Sequence, residues 1–147
     1  MEYLSTLDDK SRISLPVRIR GNIKDNRLIL TKGITRSIWV FQPDEWDAFC
    51  QKYINSAAIS LQKQMVIQHS FIAPKAEIEI DRAGRITITP SLREYACLDH
   101  ACKILEVIDH LEIWDSEQYR AYEKANESQL LAVLEEIGPV SAVSRQN

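Results

Sequence analysis

Ile80-Asp81-Arg82-Ala83-Gly84-Arg85-Ile86-Thr87-Ile88 decides the fold, because its pattern already stands earlier in the chain as Leu7-Asp8-Asp9-Lys10-Ser11-Arg12-Ile13-Ser14-Leu15. Asp, Arg and Ile coincide in register. The same fixed offset, without a gap, lays Ile19-Arg20 on Leu92-Arg93, Ile38-Trp39-Val40-Phe41 on Leu111-Glu112-Ile113-Trp114, and Trp46 on Tyr119. Apolar positions keep matching over about forty residues, so the chain carries an internal duplication and its architecture is read as two copies of one unit.

Each copy opens with alternation at period two, the pattern of a half-buried strand. In the first, Ile13 and Leu15 point one way and Arg12 and Ser14 the other. In the second, Ile78, Ile80, Ile86 and Ile88 form the apolar row, with Glu77, Glu79, Arg85 and Thr87 opposite. Between the runs lie Asp8-Asp9-Lys10-Ser11 and Asp81-Arg82-Ala83-Gly84, whose composition suits a tight reversal. Each unit is therefore expected to open with a hairpin carrying a charged tip, until Pro16 or Pro90 ends the strand and leads into a short helix or turn. Further strands are expected at Arg27–Thr31, Ser37–Phe41, Lys103–Ile108 and Leu111–Trp114. Pro43 opens a helix with Trp46, Phe49, Cys50 and Tyr53 on one stripe. A linking helix is expected at about 57–70, and a C-terminal helix at about 116–137, capped by Ser116 and stopped by Gly138-Pro139 before a loose tail. Repeat 1 then spans about 5–50 and repeat 2 about 76–120. One unit alone would leave apolar faces exposed, so the two are expected to pack as a single pseudo-dimeric domain over 1–147.

At 147 residues and 45% hydrophobic content the chain is long enough to bury a core. The N-terminus has no leader pattern and no window has the apolar length of a bilayer span, so a cytoplasmic location without membrane contact is expected. Cys50, Cys97 and Cys102, an odd count, point to reduced thiols. The net charge of -3 conceals an asymmetry: Lys10, Arg12, Arg18, Arg20, Lys24, Arg27, Lys32 and Arg36 stand against the single acid Asp25, whereas the stretch from Glu94 to Glu136 is acidic. Either this is scattered, solvated surface charge, or it marks a polyanion-binding face on an acidic body. The duplication favours the second.

The stretch Thr6 to Pro16 with Arg20, and its echo from Glu79 to Ile86 with Leu92-Arg93-Glu94-Tyr95-Ala96, resembles the doubled signature of the MraZ family. Phe41-Gln42-Pro43-Asp44-Glu45-Trp46 and Glu112-Ile113-Trp114-Asp115 are similar to its other landmarks, and the resemblance runs from Met1 to about Glu136. It implies an α+β, mainly β fold: a duplicated double-split, swapped-hairpin β-barrel of the AbrB type with flanking helices. It also implies a ring-like homo-oligomer on short direct repeats of double-stranded DNA. Its expected role is that of a nucleoid-associated transcriptional regulator, usually a repressor of the division and cell-wall gene cluster that includes its own promoter. Asp8, Lys10 and Arg12 match the signature in copy one, Asp81 and Arg85 in copy two. Three positions depart from it: Ser11 replaces Gly, Thr89 replaces the first Pro of a pair, and His69 stands where Arg is usual.

A β-ribbon fits the major groove, where Arg can bond O6 and N7 of guanine. Arg12 and Arg85 are the candidate base readers, Lys10 and Arg82 the phosphate contacts, and Arg18 and Arg20 the supports. Asp8 and Asp81 are expected to organise the tips by accepting backbone N–H groups or orienting the Arg four residues on. The alternative for each Asp–Arg pair is a surface ion pair of little worth. Arg93 is left between binding DNA and holding the copies together. Cys97, His100, Cys102 and His110 match no closed tetrahedral spacing, and Cys102 begins an apolar strand, so no metal or other cofactor is expected. The three tryptophans read as core. Dispersed glycines form no phosphate cradle, and no nucleophile constellation is recognisable, which sets aside a small hydrolase. An AbrB-fold antitoxin-like interaction module, working through its acidic C-terminal helix, is the remaining alternative.

Overall fold

The computed structural model describes residues 1–55 and 58–139, and the chain divides into two units, residues 1–116 and 117–147. The first unit begins with β1 (Glu2–Thr6), β2 (Arg12–Ser14), α1 (Val17–Arg20), β3 (Arg27–Lys32) and β4 (Ile38–Phe41). Then come α2 (Pro43–Phe49), extended by a π-helical turn to Ile54, and α3 (Leu61–Ile67), extended likewise to Ile72. It closes with β5 (Ala76–Glu79), β6 (Arg85–Thr87), α4 (Pro90–Tyr95), β7 (Ala101–Glu106) and β8 (Leu111–Asp115). The second unit is helical: α5 (Ser116–Asn126) starts at the boundary and is followed by a 3₁₀ turn and α6 (Leu130–Ile137).

All ladders are antiparallel. Six strands form one sheet in the order β1-β7-β8-β4-β3-β5, and β2 pairs with β6 in a separate two-stranded ribbon. Under the offset that lays Leu7 on Ile80, β1 corresponds to β5, β7 to β3 and β8 to β4, so the six-strand order reads the same from either edge. Two residues pair with their own counterparts, Ile13 with Ile86 in the ribbon and Trp39 with Glu112 in the sheet. An approximate two-fold relation passes between the members of both pairs.

Alternation explains which residues go inside. Ile13, Ile38, Ile86, Ile104 and Ile113 are fully buried, and Leu7, Leu15, Leu28, Leu30, Ile88 and Leu92 join them in one cluster fed by both repeats. Each such side chain contributes about 1.5–3 kcal/mol by leaving water. A second, aromatic cluster joins Phe41, Trp46 and Ile29 to Trp39, Phe49 and Phe71. It seats α2, whose Gln42–Glu45 capping box and first-turn Pro43 fix its start. Trp46 lies in the aromatic cluster, Trp39 packs against it, and Trp114 is buried.

Several expectations require correction. The expected hairpins form only as turns. A bridge joins Leu7 to Ile13, but the arms then part: Leu7 N donates to His100 O and Ile80 N to Asn26 O, and the strands before each turn join the six-stranded sheet instead. Period-two alternation assigns a buried face and says nothing of which strand lies alongside. No sheet closes into a barrel among the described residues. The strand expected at Lys103–Ile108 is Ala101–Glu106, because a turn closed by Val107 N to His110 O places Ile108 in solvent. The C-terminal helix is broken at Glu127–Gln129. The linking helix is shorter at its start, where Ser60 caps α3. The tail beyond Pro139, and the start of the linking helix at residue 57, lie outside the described residues.

Candidate nucleic-acid interface

The two tips are built alike, bond for bond. In the first, Asp8 Oδ1 accepts the N–H groups of Lys10 and Arg12, both at 2.9 Å, and Asp8 Oδ2 accepts Arg12 Nε at 2.8 Å. In the second, Asp81 Oδ1 accepts Ala83 N at 2.9 Å and Arg85 N at 2.8 Å, and Oδ2 accepts Arg85 Nε at 2.9 Å. The carbonyls of the same aspartates accept Ser11 N and Gly84 N. A carboxylate receiving two amides and a guanidinium is held ionised. The Arg12 amide above all, then the Arg12 side chain and Lys10 amide, hold the Asp8 carboxyl below its ordinary value of 3.8 despite partial desolvation. The Arg85 amide does the same for Asp81.

The turns require a left-handed residue at their fourth position. Gly84 has φ 77° and Ser11 has φ 59°. Glycine adopts this freely, whereas serine is disfavoured there by roughly 1–2 kcal/mol. Ser11 has compensation: its hydroxyl accepts Arg93 Nη1 at 2.8 Å, and Arg93 Nε also reaches Leu98 O at 3.4 Å. At Gly84 a Cβ would overlap the Arg20 guanidinium, which lies over this turn with its Nε buried and unpaired.

The ribbon places Arg12 opposite Thr87 and Ser14 opposite Arg85, all four on the face away from Ile13 and Ile86. Arg12 and Arg85 are thus brought onto one surface, with side-chain exposures of 27% and 32% that leave both partly open to solvent. They differ in one contact. Arg85 Nη1 comes within 4.0 Å of Asp8 Oδ2, so Asp8 is shared by both arginines while Asp81 serves only Arg85. Lys10, Arg18 and Arg82 are exposed, and no ion pair engages them among the described residues. Further along the basic segment, Lys32 and Arg36 lie against the Tyr95 ring, 5.0 and 4.9 Å from its centre.

Thr89, the departure in the second copy, caps α4 by accepting Leu92 N. Cys97 is exposed, while Cys102 is buried in β7 with its thiol pushed up to about 11, first by desolvation and then by Asp115. No group of three or more His, Cys, Asp or Glu that could hold a metal occurs among the described residues. The sequence offers His110 only as a metal ligand, whereas its ring packs tilted against Trp39, 4.4 Å between ring centres, with its nitrogens against the carboxylates of Asp109 and Glu112. The contacts of Ser11 with Arg93 and of Gly84 with Arg20 were likewise missed. The available signal was the coincidence of Arg20 and Arg93 under the repeat offset.

Two turns of the same construction, carried on a ribbon shared between the halves of a duplicated chain, define a class of two-repeat α+β proteins. The family model described as "MraZ protein, putative antitoxin-like" matches residues 2–68 and again 71–136. The chain therefore belongs to the MraZ family. It is 36% identical over 139 residues to the protein named transcriptional regulator MraZ from Treponema denticola, covering 95% of this chain and 96% of that one. The protein of that name from Treponema pallidum is 42% identical over 130 residues, 88% of this chain and 87% of the relative. That from Limosilactobacillus fermentum is 28% identical over 124 residues, 84% and 85% of the two chains.

Proposed function

We propose that the chain is a sequence-specific, double-stranded DNA-binding transcriptional regulator rather than an enzyme, with the two tips as its reading head. The observation that carries this is the pairing of Arg12 and Arg85 on one open ribbon face, each guanidinium steadied through Nε by its own aspartate. Both side chains stay partly open to solvent, and a guanidinium held through Nε can still offer its terminal nitrogens to O6 and N7 of guanine. Lys10 and Arg82, beside the tips, suit phosphate, with Arg18 and Arg20 as supports. Asp8 and Asp81 organise the turns. Relatives named as transcriptional regulators support the class.

In this reading the protein acts in the cytoplasm, at the nucleoid, without a cofactor. It represses the division and cell-wall gene cluster that includes its own promoter, binding short direct repeats as a ring-like homo-oligomer of single pseudo-dimeric chains, each a swapped-hairpin pair. Several protomers on spaced repeats would add avidity through effective concentration. No helix among the described residues is long and apolar enough to cross a membrane.

The test is a titration of repeat-containing promoter DNA against scrambled DNA at two salt concentrations, with light scattering of the free protein. Preferential binding that weakens steeply with salt, by an assembly larger than a dimer, is expected. Binding that ignores both sequence and salt would refute DNA reading, and binding by a monomer would refute the ring. The second reading, an antitoxin-like interaction module, is favoured by the exposed Leu130, Leu131, Val133, Leu134 and Ile137 of α6. It predicts no preference for promoter DNA.

A further inference from the structure

We infer that Arg20 and Arg93 are reciprocal positioning residues, each reaching from one repeat to hold the turn of the other, so that the two tips form a single rigid body. Arg93 lies on α4, directly after the ribbon strand of the second repeat, and donates from Nη1 to the hydroxyl of Ser11 in the first tip at 2.8 Å. Arg20, its counterpart on α1, lies across Gly84 in the second tip, where any β-carbon would collide with it. The backbone is crossed in the same sense. Leu15 N donates to Gly84 O at 2.9 Å, and Ile88 N to Ser11 O at 2.8 Å. Each left-handed turn residue is therefore gripped by main chain and guanidinium from the opposite repeat, and neither turn depends on its own repeat alone.

The two grips have different chemistry. Ser11 offers an oxygen, and the planar guanidinium bonds it directionally. Gly84 offers no side chain, so Arg20 approaches its backbone closely and acts by contact. In both cases the brace lies behind the turn whose aspartate steadies the reading arginine, and loosening one turn would free Arg12 or Arg85 from its place on the ribbon. The inference rests on the proposed DNA reading only for its consequence. The brace itself is measurable without DNA.

Amide hydrogen exchange of the full chain decides the matter. In Arg93→Gln the amides of Ser11 and Arg12, in the other repeat, are expected to exchange about tenfold faster, while Gly84 and Arg85 change little; Arg20→Gln should give the mirror result. Ser11→Ala, which removes only the hydroxyl, should reproduce the Arg93→Gln pattern and carries the test if Arg93→Gln does not fold. Unchanged exchange at Ser11 and Arg12 would overturn the brace. So would acceleration that is as large at Leu30 and Ile104 as at the tip, since Arg93 would then merely stabilise the fold. Arg93→Gln should lose about tenfold in affinity for promoter DNA while keeping its affinity for scrambled DNA, so that its preference falls by the same factor. A wild type that binds no DNA would refute the reading of the site, and the exchange result would still decide the brace.

Discussion

The first tip and the second make the same bonds to their aspartates yet satisfy their left-handed residue differently. Tip two uses glycine and admits Arg20 onto the bare backbone; tip one uses serine, at a conformational cost, and returns a hydrogen bond to Arg93. The lesson is that a duplicated site can drift in its supports while its working geometry stays fixed, provided the replacement supplies a compensating contact. A second difference lies in charge. Asp8 is shared by both arginines, so among the described residues Arg85 pairs with two carboxylates and Arg12 with one.

The strongest way to break the comparison is at the shared core, where the repeats should be equal. Ile13 and Ile86 face each other across the ribbon, both fully buried. Replacing either by Ala should cost about 2–5 kcal/mol in denaturant unfolding, by nearly the same amount. Losses differing by more than about 2 kcal/mol would show that the two halves do not share this core evenly.

At the tips the repeats should differ. Arg12→Ala should lose about 1–3 kcal/mol of promoter affinity per protomer contact, compounding across an oligomer, and Arg85→Ala less. Equal losses, or a larger one for Arg85→Ala with circular dichroism showing both folded, would place the main reader in the second repeat.

A smaller contrast concerns the turn residues. Gly84→Ala should destabilise by roughly 1–3 kcal/mol, because it meets both the φ penalty and Arg20. Ser11→Gly should stay within about 1 kcal/mol of wild type, relief of strain offsetting the lost bond to Arg93. Thermal melts of the two single variants check this. A tolerant Gly84→Ala would mean that Arg20 moves aside freely.

The smallest effect is one of pH, and here the tips should again agree. Both carboxyls are depressed below 3.8, mainly by an amide of their own turn, so their support is present above that value and is lost as pH falls through the lower folded value. Amide shifts of Arg12 and Arg85 should hold steady down to about pH 4 and then move together. Asp8→Asn should remove the response of Arg12 alone. A transition well above pH 4 in wild type would contradict the bonding described.

The sequence disclosed the duplication, the inward isoleucines and the Asp-to-Arg spacing, all of which are local or periodic. It did not disclose partners. Nothing in the alternation of Arg12-Ile13-Ser14 says that Arg85-Ile86-Thr87 lies beside it, and a nearby turn made the hairpin the natural expectation. Pairing is a property of two distant segments and the sheet between them, and it is invisible to any window that holds only one. Ser11 is opaque for a related reason: read as a lone replacement of Gly it shows only a conformational cost, and its benefit comes from Arg93 on another element.

The crossed strands also impose an order on biosynthesis. β3 and β4 adjoin in the chain and can pair locally, but the ladder partner of β1 is β7, and the Tyr3 hydroxyl waits for a carboxylate 103 positions downstream at Glu106. Until then the nascent N-terminus carries an unsatisfied strand edge, slow to close because its loop is long. Neighbouring chains on one message offer the same β7 in the same register. With both repeats on one polypeptide, β1 meets its own β7 at a higher effective concentration than that of any neighbouring molecule.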